Sequence, residues 1–433
     1  MITINKQKAI LIILITVSII IGIFLRLYIF NKTIVIEPKD MDGKYQFYQL
    51  NQYINQKKFP TEGVFLNSPE TYDSEINARI PGGYFYISYI AKYFIGGKTF
   101  EGARFVNLIT TVLLGAVFLF WIYKRFGFIT FAIMTALMSV NVYFLGAGNS
   151  TWNPNITLAF SFLFLPILYE YIYNENKNKK IICGILLFPI LALIAQCHFS
   201  NFFSMIPALI IFLIIRWKKD TNKNLLPLTA GVFISFLTYL PYLIHQFQNN
   251  FEGILKILKR KSEVDAMTII QPPQIYSILL FITNESGNKY VGGLKDILNH
   301  YFSNSSYIYI YIYIYIYIFV FYLLSIALAI FILIYSYKHF FTKKMITENE
   351  RETNALKDLM LFYLVYIIAS IVFYMLANIG AGRPHYFYSS FTLGFVPVIY
   401  FIENIKSAKP KYLNYIFIYA FLNIIAIFLD RII

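Results

Sequence analysis

Charge is scarce in this chain. Only 14% of its 433 residues are Asp, Glu, Lys or Arg, where soluble domains carry about a quarter. A soluble protein of this length could not cover the 58% of residues that are hydrophobic. Acids are fewer than bases, 22 against 37, for a net charge of +15. In a soluble protein that surplus suggests nucleic acid. In a membrane protein it reads as lysines holding cytoplasmic loops against anionic lipid, with no nucleic-acid partner. Cysteine is nearly absent. Cys183 and Cys197 lie fourteen residues apart in one apolar run. On one helix that is about 21 Å, too far for a disulfide. No CxxC or Cys/His metal pattern exists, and cysteine usage does not report the compartment.

Long apolar runs are abundant. They fall at 9–30, 105–123, 128–146, 155–173, 181–197, 199–215, 225–246, 307–337, 358–377, 386–402 and 412–429. A spanning helix needs roughly 20 apolar residues, and only helices and closed barrels satisfy their own backbone in lipid. These continuous runs predict an all-α polytopic membrane protein with about eleven transmembrane helices. The whole chain, 1–433, reads as one transmembrane domain. The first run follows Lys6 and Lys8 like a signal peptide, but it is too long and lacks a small-residue cleavage site, so it reads as a retained span. The strict Tyr-Ile repeat at 307–318 continues into an apolar run without a turn and reads as the Tyr-rich end of one long helix.

Placing the N-terminus in the cytoplasm puts seventeen Lys and Arg in the inner loops, from Lys124/Arg125 to Lys406/Lys409/Lys411. The three short outer loops then hold one cation, Arg383. Two outer segments are long, 31–104 and 247–306. In the first, Phe47, Leu50 and Ile54 recur at helical spacing with glutamines elsewhere, predicting an amphipathic interfacial helix over 43–57. A second apolar stretch, 84–95, is too short to span comfortably and reads as interfacial or re-entrant. In the second segment, 251–258 and 275–282 suit the bilayer surface.

Five polar motifs fall on the outer side. Glu37-Pro-Lys-Asp40-Met-Asp42 places two carboxylates two residues apart, as a general base or a divalent-metal site requires, and equally suits a solvated loop. Arg79-Ile-Pro-Gly-Gly-Tyr84 combines a flexible turn with a candidate phosphate ligand or a snorkelling Arg. Asn149-Ser-Thr-Trp152-Asn153-Pro-Asn155 is a helix start with an interfacial Trp, or a sugar-binding wall with amides for hydroxyls. Gln196-Cys-His198-Phe-Ser-Asn201 is turn chemistry or a polar lining. Arg383-Pro-His385 suits a lipid phosphate.

With these motifs in place the chain resembles the GT-C superfamily of membrane glycosyltransferases. It is most similar to bacterial relatives of protein O-mannosyltransferases and of the lipid A aminoarabinose transferase. The resemblance rests on Asp40-Met-Asp42 with Tyr45, on Arg79-Ile-Pro-Gly-Gly-Tyr-Phe-Tyr, on Ala103-Arg104-Phe-Val-Asn107, on Trp152-Asn-Pro-Asn, on Gln196-Cys-His-Phe-Ser and on Arg383-Pro-His-Tyr. It covers most of 1–250 and weakly 380–400. Gly43 stands where relatives often have Glu, and Asn153 and Asn155 stand where many have an Asp, which favours a single essential carboxylate.

The resemblance implies a hexosyl- or pentosyltransferase of the bacterial cytoplasmic membrane, with its active site on the outer face. It would move a sugar from a polyprenyl-phosphate donor to a lipid, glycan or protein acceptor. Asp42, with Asp40, is then the catalytic candidate. Arg79, Tyr84, Trp152, Asn153, Asn155, His198, Arg383 and His385 are the substrate-binding candidates. No motif demands a cofactor; a divalent ion would find its ligands in Asp40 and Asp42. A transporter or flippase of lipid-linked glycans is the rival from another class, and a glycan polymerase or ligase the chemically adjacent one.

Overall fold

The computed structural model describes residues 2–32, 41–66, 78–217, 225–259, 308–342, 350–376, 384–408 and 410–432. Apolar stretches that have no other way to satisfy their backbone in lipid form helices. Nine helices among the described residues are long and apolar enough to cross a membrane. The protein is a polytopic α-helical membrane protein. Helix α1 (Ile2–Lys32) is followed by α2 (Met41–Asn55), strands β1 (Glu62–Phe65) and β2 (Arg79–Pro81), α3 (Tyr84–Ile95) and α4 (Phe100–Ser139). Next come α5 (Val142–Gly148), α6 (Asn153–Tyr173), α7 (Lys177–Cys197), α8 (Met205–Trp217), α9 (Leu226–Gln248) and α10 (Glu252–Lys259). The last four are α11 (Ile308–Phe341), α12 (Glu350–Leu376), α13 (Val396–Ala408) and α14 (Leu413–Ile432). The Tyr-Ile repeat from Ile308 onward is helical, as its apolar continuation predicts.

Two of the eleven expected crossings are composite. The runs at 105–123 and 128–146 share α4, which is broken at Gly127 by φ 80° and ψ −178°. A left-handed φ is open to glycine at no steric cost, so Gly127 turns the chain back without a loop. The second arm then ends at Ser139, and α5 restarts from Asn141, whose side chain accepts from the Tyr143 and Phe144 amides. Arg26 of α1 spans this break. Its Nη1 donates to the Ser139 carbonyl at 2.7 Å and to Gly22 O at 2.9 Å, and its guanidinium covers the Phe144 ring at 4.4 Å. A cation at a helix C-terminus meets its partial negative charge. The other composite crossing, expected at 386–402, is a 3₁₀ segment (Pro384–Phe395) running into α13.

The ends of the bundle sort as the charge pattern requires. Arg125 pairs with Glu170, Arg216 with Asp358 and Arg351 with Glu175. Lys406 pairs with Glu403 at 2.7 Å and reaches Phe126 O beside the Gly127 break. These cations are the ones assigned to the cytoplasmic loops. The described parts of the polar motifs expected on the outer side gather at the opposite end.

The segment 31–104, where described, folds over that end. It holds α2 and α3 as predicted, with one correction to each neighbour. Two of the three glutamines of α2 do not face water: Gln46 and Gln49 are buried with Leu50, and Gln52 is half-buried. The stretch around Pro81-Gly82-Gly83 is not only a turn. β1 and β2 pair antiparallel, an element that the apolar pattern does not show. Helix α3 packs on α4, where the Gly96 and Gly102 backbones touch; a Cβ on Gly102 would lie 1.6 Å from Gly96 O. Of residues 251–258, all but Phe251 fall in the short helix α10, whereas 275–282 lie outside the described residues.

Candidate functional site

One turn of chemistry starts from α2. Asp42, Tyr45, Gln46 and Gln49 recur at i, i+3, i+4 and i+7, so they share one face. Gln46 Nε2 donates to Asn153 Oδ1 at 3.0 Å, which carries that face to the start of α6. The Arg79 guanidinium reaches Tyr45 Oη and Gln49 Oε1, both at 3.4 Å, and lies 3.9 Å from Glu62. It stacks over Phe65 at 4.0 Å. These contacts are long for charge-assisted hydrogen bonds. Arg79 is therefore held in place by stacking more than by its partners, and its donors can be redirected to an incoming anion. Asp42 is half-buried at the first turn of this helix.

Each of the other motifs feeds the same end. Asn153 Nδ2 donates to Cys197 O at 2.8 Å, joining α6 to the end of α7. Gln196 Oε1 accepts from the Tyr84 amide at 3.2 Å, and its Nε2 donates to Thr238 at 2.9 Å. Gly82 makes that approach possible. Its φ is +90°, and a Cβ there would lie 2.5 Å from Gln196. Burial pushes the Tyr84 phenol well above its ordinary value, so it stays a donor. His198 Nδ1 meets Ser200 Oγ at 2.6 Å, and Ser200 Oγ donates to Tyr386 O at 3.1 Å. The His198 ring stands edge-on to Tyr386 at 5.3 Å. The fourth motif thus meets the 3₁₀ segment at Tyr386.

The turn that carries Trp152 is clamped from below. Arg104 Nε donates to Asn149 O at 3.0 Å, and Asn107 Nδ2 to Ala147 O at 3.1 Å and Ser150 O at 2.8 Å. Thr151 Oγ1 donates to Tyr89 Oη at 3.1 Å. Trp152 caps α6 and is half-buried, while Asn155 is buried one turn inside it.

Asp40 and Arg383 lie outside the described residues, as does the side chain of His385. Among the described residues no three His, Cys, Asp or Glu side chains gather into a metal site. The divalent-ion expectation therefore stays with Asp40 and Asp42.

Three polar residues at this end escape sequence reasoning. Lys92 is buried in α3 and bonds Asn107 Oδ1 at 2.8 Å; burial lowers its ammonium to about 8. A single cation inside the apolar stretch 84–95 is the signal that could have found it. Glu62 and His245 stand 3.9 Å apart across the ribbon and the end of α9. Their separation in sequence leaves no local signal. With Arg79 they line a polar cavity of about 330 Å³, which Asp42 does not line.

No family model matches this sequence, and no curated protein matches it. The crystal structure of ArnT from Cupriavidus metallidurans in the apo state is similar at TM-score 0.42 and 10% identity, over 94% of this chain and 78% of that chain. A likeness this loose says nothing of activity.

Proposed function

We propose that this chain is a membrane glycosyltransferase that moves a hexosyl or pentosyl unit from a polyprenyl-phosphate donor to a lipid, glycan or protein acceptor at the outer face of a bacterial cytoplasmic membrane. The observation that carries the reading is the single face of α2. It presents Asp42 one turn from Tyr45 and Gln46, which reach Arg79 and Asn153. A carboxylate and a loosely engaged guanidinium are the two groups that the chemistry needs.

An acceptor hydroxyl must lose its proton as it attacks the anomeric carbon. Asp42 takes that proton, a role that contributes about 10²–10⁴-fold. The bond from the anomeric carbon to the phosphate oxygen breaks, and charge grows on the leaving phosphate. Arg79 meets it by exchanging its 3.4 Å contacts for charge-assisted ones. Trp152, Asn153 and His198 line the surroundings from the α6 and α7 ends, with Arg383 and His385 as further phosphate candidates.

Transport of the lipid-linked glycan would call for ionisable groups along the spans and paired discontinuous helices. The ion pairs of the described spans lie instead near helix ends or at the Gly127 break. Arg125–Glu170, Arg216–Asp358 and Lys406–Glu403 are at the lysine-rich end. Arg104–Glu101 and Arg431–Asp430 are in the first turn of α4 and the last turn of α14. The test is mass analysis of lipid-linked sugars and surface glycans in cells with the wild-type chain or Asp42→Asn. Accumulation of one monophosphate-linked sugar in the variant, with normal insertion, is the expected result. Unchanged glycans would sink the assignment.

A further inference from the structure

The cavity beside Arg79 has a charge pattern that selects its ligand. Arg79 lies 3.9 Å from Glu62, His245 lies 3.9 Å from the same carboxylate, and Lys256 pairs with Glu252 at 2.7 Å. The two formal cations, Arg79 and Lys256, stand against two carboxylates, Glu62 and Glu252, so the formal charges of these walls cancel. Arg79 turns only Nε to Glu62 here, while Nη2 faces Tyr45 and Gln49. The site is nevertheless built. Gln246 is 1% exposed; its Nε2 donates to Glu62 Oε1 at 2.8 Å and its Oε1 accepts from the Ile254 amide at 3.2 Å. Gly253 lets α10 come this close, since a Cβ there would lie 2.6 Å from the Gln246 amide. Glu62 is thus fixed in position by a buried amide.

The two 3.9 Å gaps are too wide for hydrogen bonds and too narrow to leave the groups independent. A hydroxyl fits such a gap, because it donates to the carboxylate and accepts from the guanidinium or imidazole at once. Two gaps sharing one carboxylate suit two hydroxyls on one ligand. The volume, about 330 Å³, sits at the small end of ligand sites. On the outer wall, Phe247, Phe251, Leu255 and Leu258 are exposed along the end of α9 and α10. Exposed apolar side chains on a short amphipathic helix suit the bilayer surface, which places the cavity where lipid headgroups are.

We infer that this cavity binds one uncharged sugar ring, presented at the membrane surface, through paired hydroxyl contacts to Glu62, Arg79 and His245. The inference deepens the glycosyl-transfer reading and rests on it only for which substrate carries the sugar. The donor and the acceptor both supply this chemistry.

The test uses the full-length protein in lipid nanodiscs, with a panel of neutral methyl glycosides, glucuronate and inorganic phosphate, read by saturation-transfer NMR. At least one neutral glycoside should bind. Glu62→Gln, which keeps an acceptor for the Gln246 amide, and His245→Ala should each weaken it about tenfold, with melting unchanged, whereas Asp42→Asn should leave it intact. Binding of the charged probes alone, silence from every neutral glycoside, or full binding by both cavity variants would overturn the inference. Retained transfer by Asp42→Asn alongside sugar binding would instead remove the catalytic reading and leave the sugar site standing. A rise in KM for the donor alone in His245→Ala assigns the ring to the donor, and a rise for the acceptor alone assigns it to the acceptor.

Discussion

The two ends of the bundle use the same residue types in opposite ways. At the lysine-rich end the charges are closed on one another: Arg125 on Glu170, Arg216 on Asp358, Lys406 on Glu403. Trp121 and Asn174 also bind the Glu170 carboxylate, and Tyr173 binds Asp358. At the other end Arg79 stands at 3.4–3.9 Å from three partners, and His245 at 3.9 Å from its own. Closed networks hold helices in register. Open ones leave polar groups that a ligand can complete. The contrast sets the surroundings of Arg79 apart even from their own end of the bundle, where Arg104–Glu101 and Lys256–Glu252 are closed pairs.

Substitutions can break that contrast. The largest effect belongs to Asp42→Asn, which should lower glycosyl transfer by about 10²–10⁴-fold while thermal stability stays within error. A stability loss in step with activity would make Asp42 a structural residue. Asp358→Ala should do the reverse, leaving Arg216 without its carboxylate at a cost of about 3 kcal/mol in unfolding experiments. Sugar binding at the opposite end should persist in whatever fraction stays folded.

Gly82→Ala strains a left-handed residue and drives a methyl into Gln196. A cost of about 1–3 kcal/mol is expected, and the ribbon should become more accessible to protease. The smallest effect is at Lys92. Its lowered value means that between about 8 and the ordinary lysine value the unfolded chain holds the extra proton. Stability should therefore rise with pH across that window, and the cost of burying the cation is felt in full below it. Lys92→Met should flatten the slope in melting curves taken from pH 7 to 10; an unchanged slope would assign it to another group.

The spans were legible because hydropathy over 20 residues needs no partner to be read. So was their sorting into two ends, since each loop declares its own charge. The breaks were not. Gly127 sits between two apolar runs that α4 joins without a loop, and the Pro384–Phe395 segment looks as apolar as a helix. The site was legible only in pieces. Asp42, Arg79 and Asn153 stand out locally, but Gln46 and Gln49 look like the wet side of an amphipathic helix until Asn153 and Arg79 arrive to meet them. Glu62 and His245 are 183 positions apart, and nothing short of the folded ribbon brings them together.

Arg26 also bears on how the chain is made. Its acceptor Ser139 lies 113 residues downstream. When α1 enters the bilayer, neither that carbonyl nor Phe144 has been synthesised. An Arg at the centre of a spanning helix costs about 2.5–3.5 kcal/mol on insertion scales. Arg26, near the end of α1, costs less, and the Leu and Ile residues of α1 offset it until α4 and α5 follow. The contact that Arg26 makes across the break therefore forms only after α1 has been made. A nascent chain halted before Val140 should release α1 to alkaline extraction more readily than one halted after Gly148, and equal retention would contradict the sequence of events.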